Sequence, residues 1–189
     1  MVYPIVAYGD PILRKRAEDI EKDGLDVRKL SADMLETLFA IPGAGLAAPQ
    51  IGQPVRLFVV DARALRDDEE DEEEAPQAPV GKVFINPQLL ETDEDEGLFE
   101  EGCLSMPGFT ARIFRPVSVK IRYFDTDWNE HIDEYEDRAA SVIQHEYDHL
   151  EGKLFTDYLP PLKRQLLKKK LSDIVKGNVR VSYKMKFST

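Results

Sequence analysis

The segment His145-Glu146-Tyr147-Asp148-His149 constrains this chain more than any other. Residues four apart share one face of an α-helix, so the two imidazoles can meet a single metal ion if the segment is helical. The spacing of residues 137–150 predicts a helix, with Ala139, Val142 and Ile143 on its buried side. Asp137 is the expected N-cap and Gly152 the expected C-terminal stop. A buried helix carries His, Glu and His only when they have partners, because such groups are costly to desolvate. Glu146 lies beside both histidines, where it can handle the protons of a metal-activated water. The plain alternative is a solvated helix face with two histidines on it.

A catalytic metal usually takes three protein ligands and keeps one position open. In long zincin patterns the third ligand is a histidine six residues after the second. Phe155 stands there, and no histidine follows His149. Glu151 and Asp157 are downstream carboxylate candidates. Cys103, the chain's one cysteine, is the upstream candidate, within Glu101-Gly102-Cys103-Leu104-Ser105. A lone cysteine is more often a small buried hydrophobe than a ligand. A Cys/His/His set would suit Fe²⁺, Zn²⁺, Ni²⁺ or Co²⁺. One cysteine also excludes an internal disulfide framework.

The other elements follow from periodicity. Residues 25–40 read as a helix, with Leu30, Met34, Leu35, Leu38 and Phe39 recurring at three and four residues. Ile41-Pro42-Gly43 ends it. Residues 55–60 and 81–85 read as strands, as do residues 116–123, where Val117, Val119 and Ile121 alternate with Ser118, Lys120 and Arg122. A helix is expected from about 160 to 176, with Leu162, Leu166, Leu167, Leu171, Ile174 and Val175 as one apolar stripe. A last strand is expected over 179–187. At 189 residues the chain is expected to be a single catalytic domain, 1–189.

Between two helical and strand segments lies Gly43-Ala44-Gly45-Leu46-Ala47-Ala48-Pro49-Gln50. Two glycines there permit unusual backbone angles or close approach of another chain. The segment is no phosphate cradle, because it lacks both the Lys-Ser/Thr of a P-loop and the third glycine of a dinucleotide fingerprint.

These three segments, in the order in which they stand in the chain, resemble the motifs of peptide deformylases. The resemblance extends to residues 8–14, Tyr-Gly-Asp-Pro-Ile-Leu-Arg, and to residues 152–159, Gly-Lys-Leu-Phe-Thr-Asp-Tyr-Leu, and so spans nearly the whole chain. It implies an α+β fold with antiparallel sheets around a central metal-binding helix, to which the periodicity above adds a C-terminal basic amphipathic helix. It implies Cys103, His145 and His149 as metal ligands, with Fe²⁺ the native ion. It implies removal of formyl from N-formylmethionine at the start of nascent polypeptides. Glu146 would take a proton from water and pass it to the departing amine. The Gln50 amide and the Leu104 backbone N–H would donate to the oxygen that gains charge. The substrate would lie as an added strand beside Ala44, Gly45 and Gly102, with Val142 walling the methionine pocket. Ala44 is smaller than the branched residue often found there in the family. A zincin-type metallopeptidase and a non-enzymatic metal-binding module are the alternative readings.

Four further side chains invite assignment. Glu101 could pair with Arg115 and orient the loop carrying Cys103. Asp148 is expected to accept the second ring N–H of a ligand histidine. Tyr147 is expected to pack, and His131 to be an ordinary strand or loop residue.

Charge bears on partners. The chain carries 25 basic and 36 acidic side chains, net −11. This disfavours specific DNA binding, because nucleic-acid affinity comes from neutralising phosphates. Eight of the negatives form one run, residues 67–74, inside a segment 66–79 expected to be a mobile loop. Residues 160–189, by contrast, hold nine basic residues and one acid. Lys163, Arg164, Lys168, Lys169 and Lys170 could touch ribosomal RNA, although the helix could equally serve to pack its leucines on the body. No apolar stretch approaches the roughly 20 residues of a membrane span, and the N-terminus lacks a signal pattern, so a cytoplasmic setting is expected.

Overall fold

The computed structural model describes residues 1–22, 24–66 and 80–188. The acidic run 67–74, and with it most of the expected loop 66–79, lies outside the described residues.

The centre is strand β3 (Leu57–Asp61), all five residues of which are buried. Its unbroken apolar run Leu57-Phe58-Val59-Val60 marks a strand covered on both faces, and alternate side chains serve opposite sides. Leu57 and Val59 pack with Met34 and Leu38 of helix α1 (Val27–Phe39). Phe58 and Val60 pack with Ala140 and Ile143 of helix α2 (Asp137–Leu150). One strand thus separates the two helices and holds α2 against the sheet.

Around β3 the sheet runs in the order β2 (Gly45–Ala47), β3, β4 (Gly81–Thr92), β7 (Ser118–Phe124), β8 (Glu130–Glu136), every neighbour antiparallel. In β7 the expected alternation holds: Val119, Ile121 and Tyr123 are buried and the residues between them are half-exposed. A separate hairpin joins β5 (Glu96–Cys103) to β6 (Met106–Pro116). Strand β1 (Ile5–Val6) pairs in parallel with β9 (Met185–Lys186). Helix α3 (Pro161–Val175) precedes β9. The result is the expected α+β arrangement.

α2 has the predicted span, but its start differs. The N-cap is Glu136, which makes no side-chain capping bond, and Asp137 is already the first helical residue. β8 runs into α2 without a loop, so the chain turns abruptly. Asp137 takes φ 45° and donates its N–H to the Val117 carbonyl at 2.7 Å. Aspartate tolerates this left-handed region better than most residues. The stop is as expected. Gly152, at φ 70°, follows the C-cap, and the bonds Lys153 N–H to Asp148 O and Gly152 N–H to His149 O form a Schellman closure.

Other boundaries shift. Strand 55–60 becomes Leu57–Asp61, and 81–85 extends to Thr92 through two register shifts. The C-terminal strand expected over 179–187 shrinks to two residues, because its partner β1 is only two residues long. The apolar stripe of α3 divides: Ile174 is buried and Leu167 and Leu171 pack on the core, while Leu162 and Leu166 are 70% and 74% exposed. Only the later turns of α3 dock on the body.

Candidate metal centre

The site is assembled by α2, the β5–β6 hairpin and the segment around β2. β5 ends at Cys103, with a register shift between Glu101 and Cys103, and a two-residue turn, Leu104-Ser105, leads into Met106 of β6. α2 presents His145 and His149 from one face. The ligand atoms of Cys103, His145 and His149 all lie within 4.8 Å of one another, and Cys103 Sγ is 3.3 Å from His149 Nε2. Gln50 reaches the same point. Its Oε1 accepts the Ala47 N–H at 2.8 Å, which turns its amide nitrogen to within 3.5 Å of Cys103 Sγ.

One buried ionic network orients the group. Glu101 Oε2 meets His145 Nδ1 at 2.8 Å. Arg115 donates to Glu101 Oε1 at 2.9 Å and Oε2 at 3.1 Å, and to Asp148 Oδ2 at 2.5 Å. Ser141 Oγ donates to Glu101 Oε1, and Tyr158 OH to Asp148 Oδ1. Burial alone would raise the Glu101 pKa, but the bonds from His145 and Arg115 outweigh it and lower it to about 2. The pairing of Glu101 with Arg115 is as expected. Asp148 is not: its carboxylate hydrogen-bonds to neither ligand histidine ring and instead accepts from Arg115 and Tyr158. Asp148 lies three residues after His145, but the Nδ1 of that ring is already taken by Glu101, and Arg115 and Tyr158 occupy the Asp148 carboxylate.

Glu146 is buried beside the histidines. Burial pushes its pKa up to about 7, against the attraction of His145. Its room comes from Gly45, where a Cβ would lie 2.6 Å from Glu146 Oε1. The close approach anticipated at this glycine is therefore to a side chain of α2. Glu146 Oε2 and His149 Nδ1 are the buried side-chain polar atoms without a hydrogen-bond partner among the described residues. Burial keeps His149 neutral, with its pKa well below the usual value, as a ligand imidazole must be. A thiol and two imidazoles converging in a buried spot, one imidazole braced by a carboxylate, fit a divalent transition metal.

The group forms part of the floor of an open cleft of roughly 1270 Å³. Ala44, Gly45, Gln50, Gly102, Cys103, Leu104, Val142, His145 and Glu146 all line it, so the structure gathers the predicted residues, with His149 behind them. Tyr147 packs away from the cleft under Arg56, and His131 pairs with Asp125 and stacks on Tyr123. Glu151 and Asp157 bond instead to Arg56 and Arg14. Sequence reasoning missed Arg180, Val181, Ser182 and Tyr183, which also line the cleft. No pattern in that tail marked them.

A buried His-Glu-x-x-His helix closing on a cysteine, beneath an open cleft, defines the class of metal-dependent hydrolases. Comparison gives the family. The polypeptide deformylase family model matches residues 2–165. A peptide deformylase of Cytophaga hutchinsonii is 54% identical over 99% of this chain and 98% of its own length. One from Christiangramia forsetii is 48% identical over 99% and 96%. Among solved structures, the peptide deformylase of Ehrlichia chaffeensis superposes with TM-score 0.81 at 33% identity, covering 94% of this chain and 99% of that one. The chain belongs to the polypeptide deformylase family.

Proposed function

We propose that this chain, acting as one catalytic domain, removes the N-formyl group from N-formylmethionyl nascent peptides and releases formate. The observation that carries the reading is the convergence of Cys103, His145 and His149 beside the buried Glu146. Those three residues would hold the divalent ion, Fe²⁺ in our reading and Zn²⁺, Ni²⁺ or Co²⁺ as substitutes. When bound, such an ion supplies Lewis acidity toward water and a carbonyl oxygen. Glu146 accepts the proton of the attacking water and delivers it to the amine as the C–N bond breaks. The Gln50 amide and the Leu104 N–H stabilise the oxygen that becomes negative. The peptide backbone pairs with the segments at Ala44-Gly45 and Gly102, and Val142 contacts the methionine side chain. Backbone pairing reads no side chains, which suits action on many nascent chains.

Formate release from formyl-Met-Ala-Ser, but none from its acetylated analogue, is expected of protein purified without oxygen, with the metal measured alongside. No formate from the formylated peptide would overturn the reading. Glu146→Ala should keep the metal and lose turnover, whereas Cys103→Ser should lose tight metal binding.

A cytoplasmic enzyme acting on nascent chains meets the ribosome, and α3 supports contact there. Lys163, Arg164, Lys168, Lys169 and Lys170 are exposed beside the exposed Leu162 and Leu166. Among the described residues no helix is long and apolar enough to cross a membrane. Co-sedimentation with ribosomes should weaken when the five charges are neutralised, and equal binding would refute the contact.

A further inference from the structure

The segment after α3 returns to the cleft. Arg180, Val181, Ser182 and Tyr183 run along its wall before Met185–Lys186 pairs with Ile5–Val6. Tyr183 is partly buried, and its hydroxyl donates to the Leu104 carbonyl at 2.8 Å. Leu104 and Ser105 are the two central residues of the turn between β5 and β6. The other turn carbonyl, of Ser105, accepts the Tyr8 N–H at 2.8 Å. Both carbonyls are thus held from outside the hairpin, one by the tail and one by the segment following β1. Those two segments are themselves joined: Ile5 N–H donates to Lys184 O at 2.9 Å and Ala7 N–H to Lys186 O at 2.8 Å. The family match ends at residue 165, so Tyr183 lies beyond it.

We infer that Tyr183 is a positioning residue for the deformylation step: by holding the Leu104 carbonyl, its hydroxyl fixes the turn that presents the Leu104 N–H. The inference rests on the proposed role of that N–H. A donor lowers a barrier only when it is already aimed at the place where charge develops. The peptide planes of a two-residue turn can rotate about their flanking dihedrals, and a bond to a turn carbonyl opposes that rotation. Substrate held by strand pairing needs no such alignment in the ground state. Losing the hydroxyl therefore reduces kcat and leaves KM in place.

The test is Tyr183→Phe, which keeps the ring and deletes the bond, in the full-length metal-loaded enzyme. Its kcat on formyl-Met-Ala-Ser should fall about tenfold, short of the roughly 10²–10³ lost when such a donor is removed outright. KM and metal content should stay at wild-type values, and the thermal midpoint should fall by no more than a few degrees, the usual cost of one such bond. Ser188→Ala is the control. It cuts a different tether of the same tail, the 3.0 Å bond from Ser188 Oγ to Asp10, and should leave kcat unchanged. Wild-type kcat in Tyr183→Phe, a loss carried by KM, or an equal loss in Ser188→Ala would each overturn the inference while deformylation stands. A wild-type enzyme that releases no formate would instead remove the functional reading, and this inference with it.

Discussion

Glu101 Oε2 lies 2.8 Å from His145 Nδ1, which leaves the ring's other nitrogen facing Cys103 and His149. The contact joins β5 to α2, and it decides which ring atom is available to a metal. Glu101→Gln keeps the shape but removes the charge that favours this arrangement. Metal affinity should fall about 10–100-fold, as for other carboxylates that brace a ligand histidine. Competition against a fluorescent chelator measures it, and unchanged affinity would remove the orienting role.

Arg115 stands between two buried carboxylates, Glu101 and Asp148, and is itself 2% exposed. Arg115→Met leaves both acids without their cation. Breaking a buried pair in this way costs about 3–5 kcal/mol. Urea unfolding of the two proteins at neutral pH gives the difference, and a loss no larger than the roughly 1 kcal/mol of an exposed pair would contradict the network's role.

Gly45→Ala separates folding from chemistry. The new methyl would meet Glu146 Oε1, Cδ and Cγ, all within 2.7 Å. A side chain can move aside, so the fold should survive with a small change in thermal midpoint. Glu146 would then be displaced, and misplacement on the order of 1 Å can cost about 10² in rate. Near-normal formate release from the folded variant would show that the contact does not matter.

Acid stability can be traced to α1. Lys29 Nζ at 2.6 Å, together with the N-terminal amine at 2.7 Å, holds the Asp33 pKa at about 2, below the ordinary 3.8. A carboxyl with a depressed folded-state pKa contributes its full stability above the unfolded value. It loses that stability as pH falls through the folded value. Wild type should therefore exceed Asp33→Asn in stability at pH 6, and the gap should close between about pH 4 and pH 2. A gap that is independent of pH would assign the effect to packing.

Much of this was legible in the residues, and the failures have physical causes. α2 was readable to its last residue, because its apolar spacing and Gly152 act locally. Cys103 was legible only through resemblance, since a thiol brought to α2 by a hairpin leaves no periodic trace. The pairing of Glu101 with Arg115 was anticipated, but not the bond from Glu101 to His145, which joins residues 44 apart in sequence. Asp148 does not serve a ligand histidine because Glu101, brought in from a distant strand, already meets His145, and Arg115 claims the Asp148 carboxylate. In α3 a regular leucine pattern implied a buried stripe, yet periodicity cannot say how far along its length a helix touches the body. Tyr183 sits in irregular chain, where no spacing rule applies.

The pairing of β1 with β9 has a bearing on how the enzyme comes into being. Ile5 is made first and must wait for Met185 before that ribbon can close. Contacts this distant in sequence form late, after the local hairpins and helices. While the chain is still being synthesised, the turn carrying Leu104 lacks the bond from Tyr183, and the cleft lacks one wall. An enzyme that meets other proteins at the moment of their birth thus completes its own site only after the segment carrying Tyr183 has followed the hairpin out of synthesis.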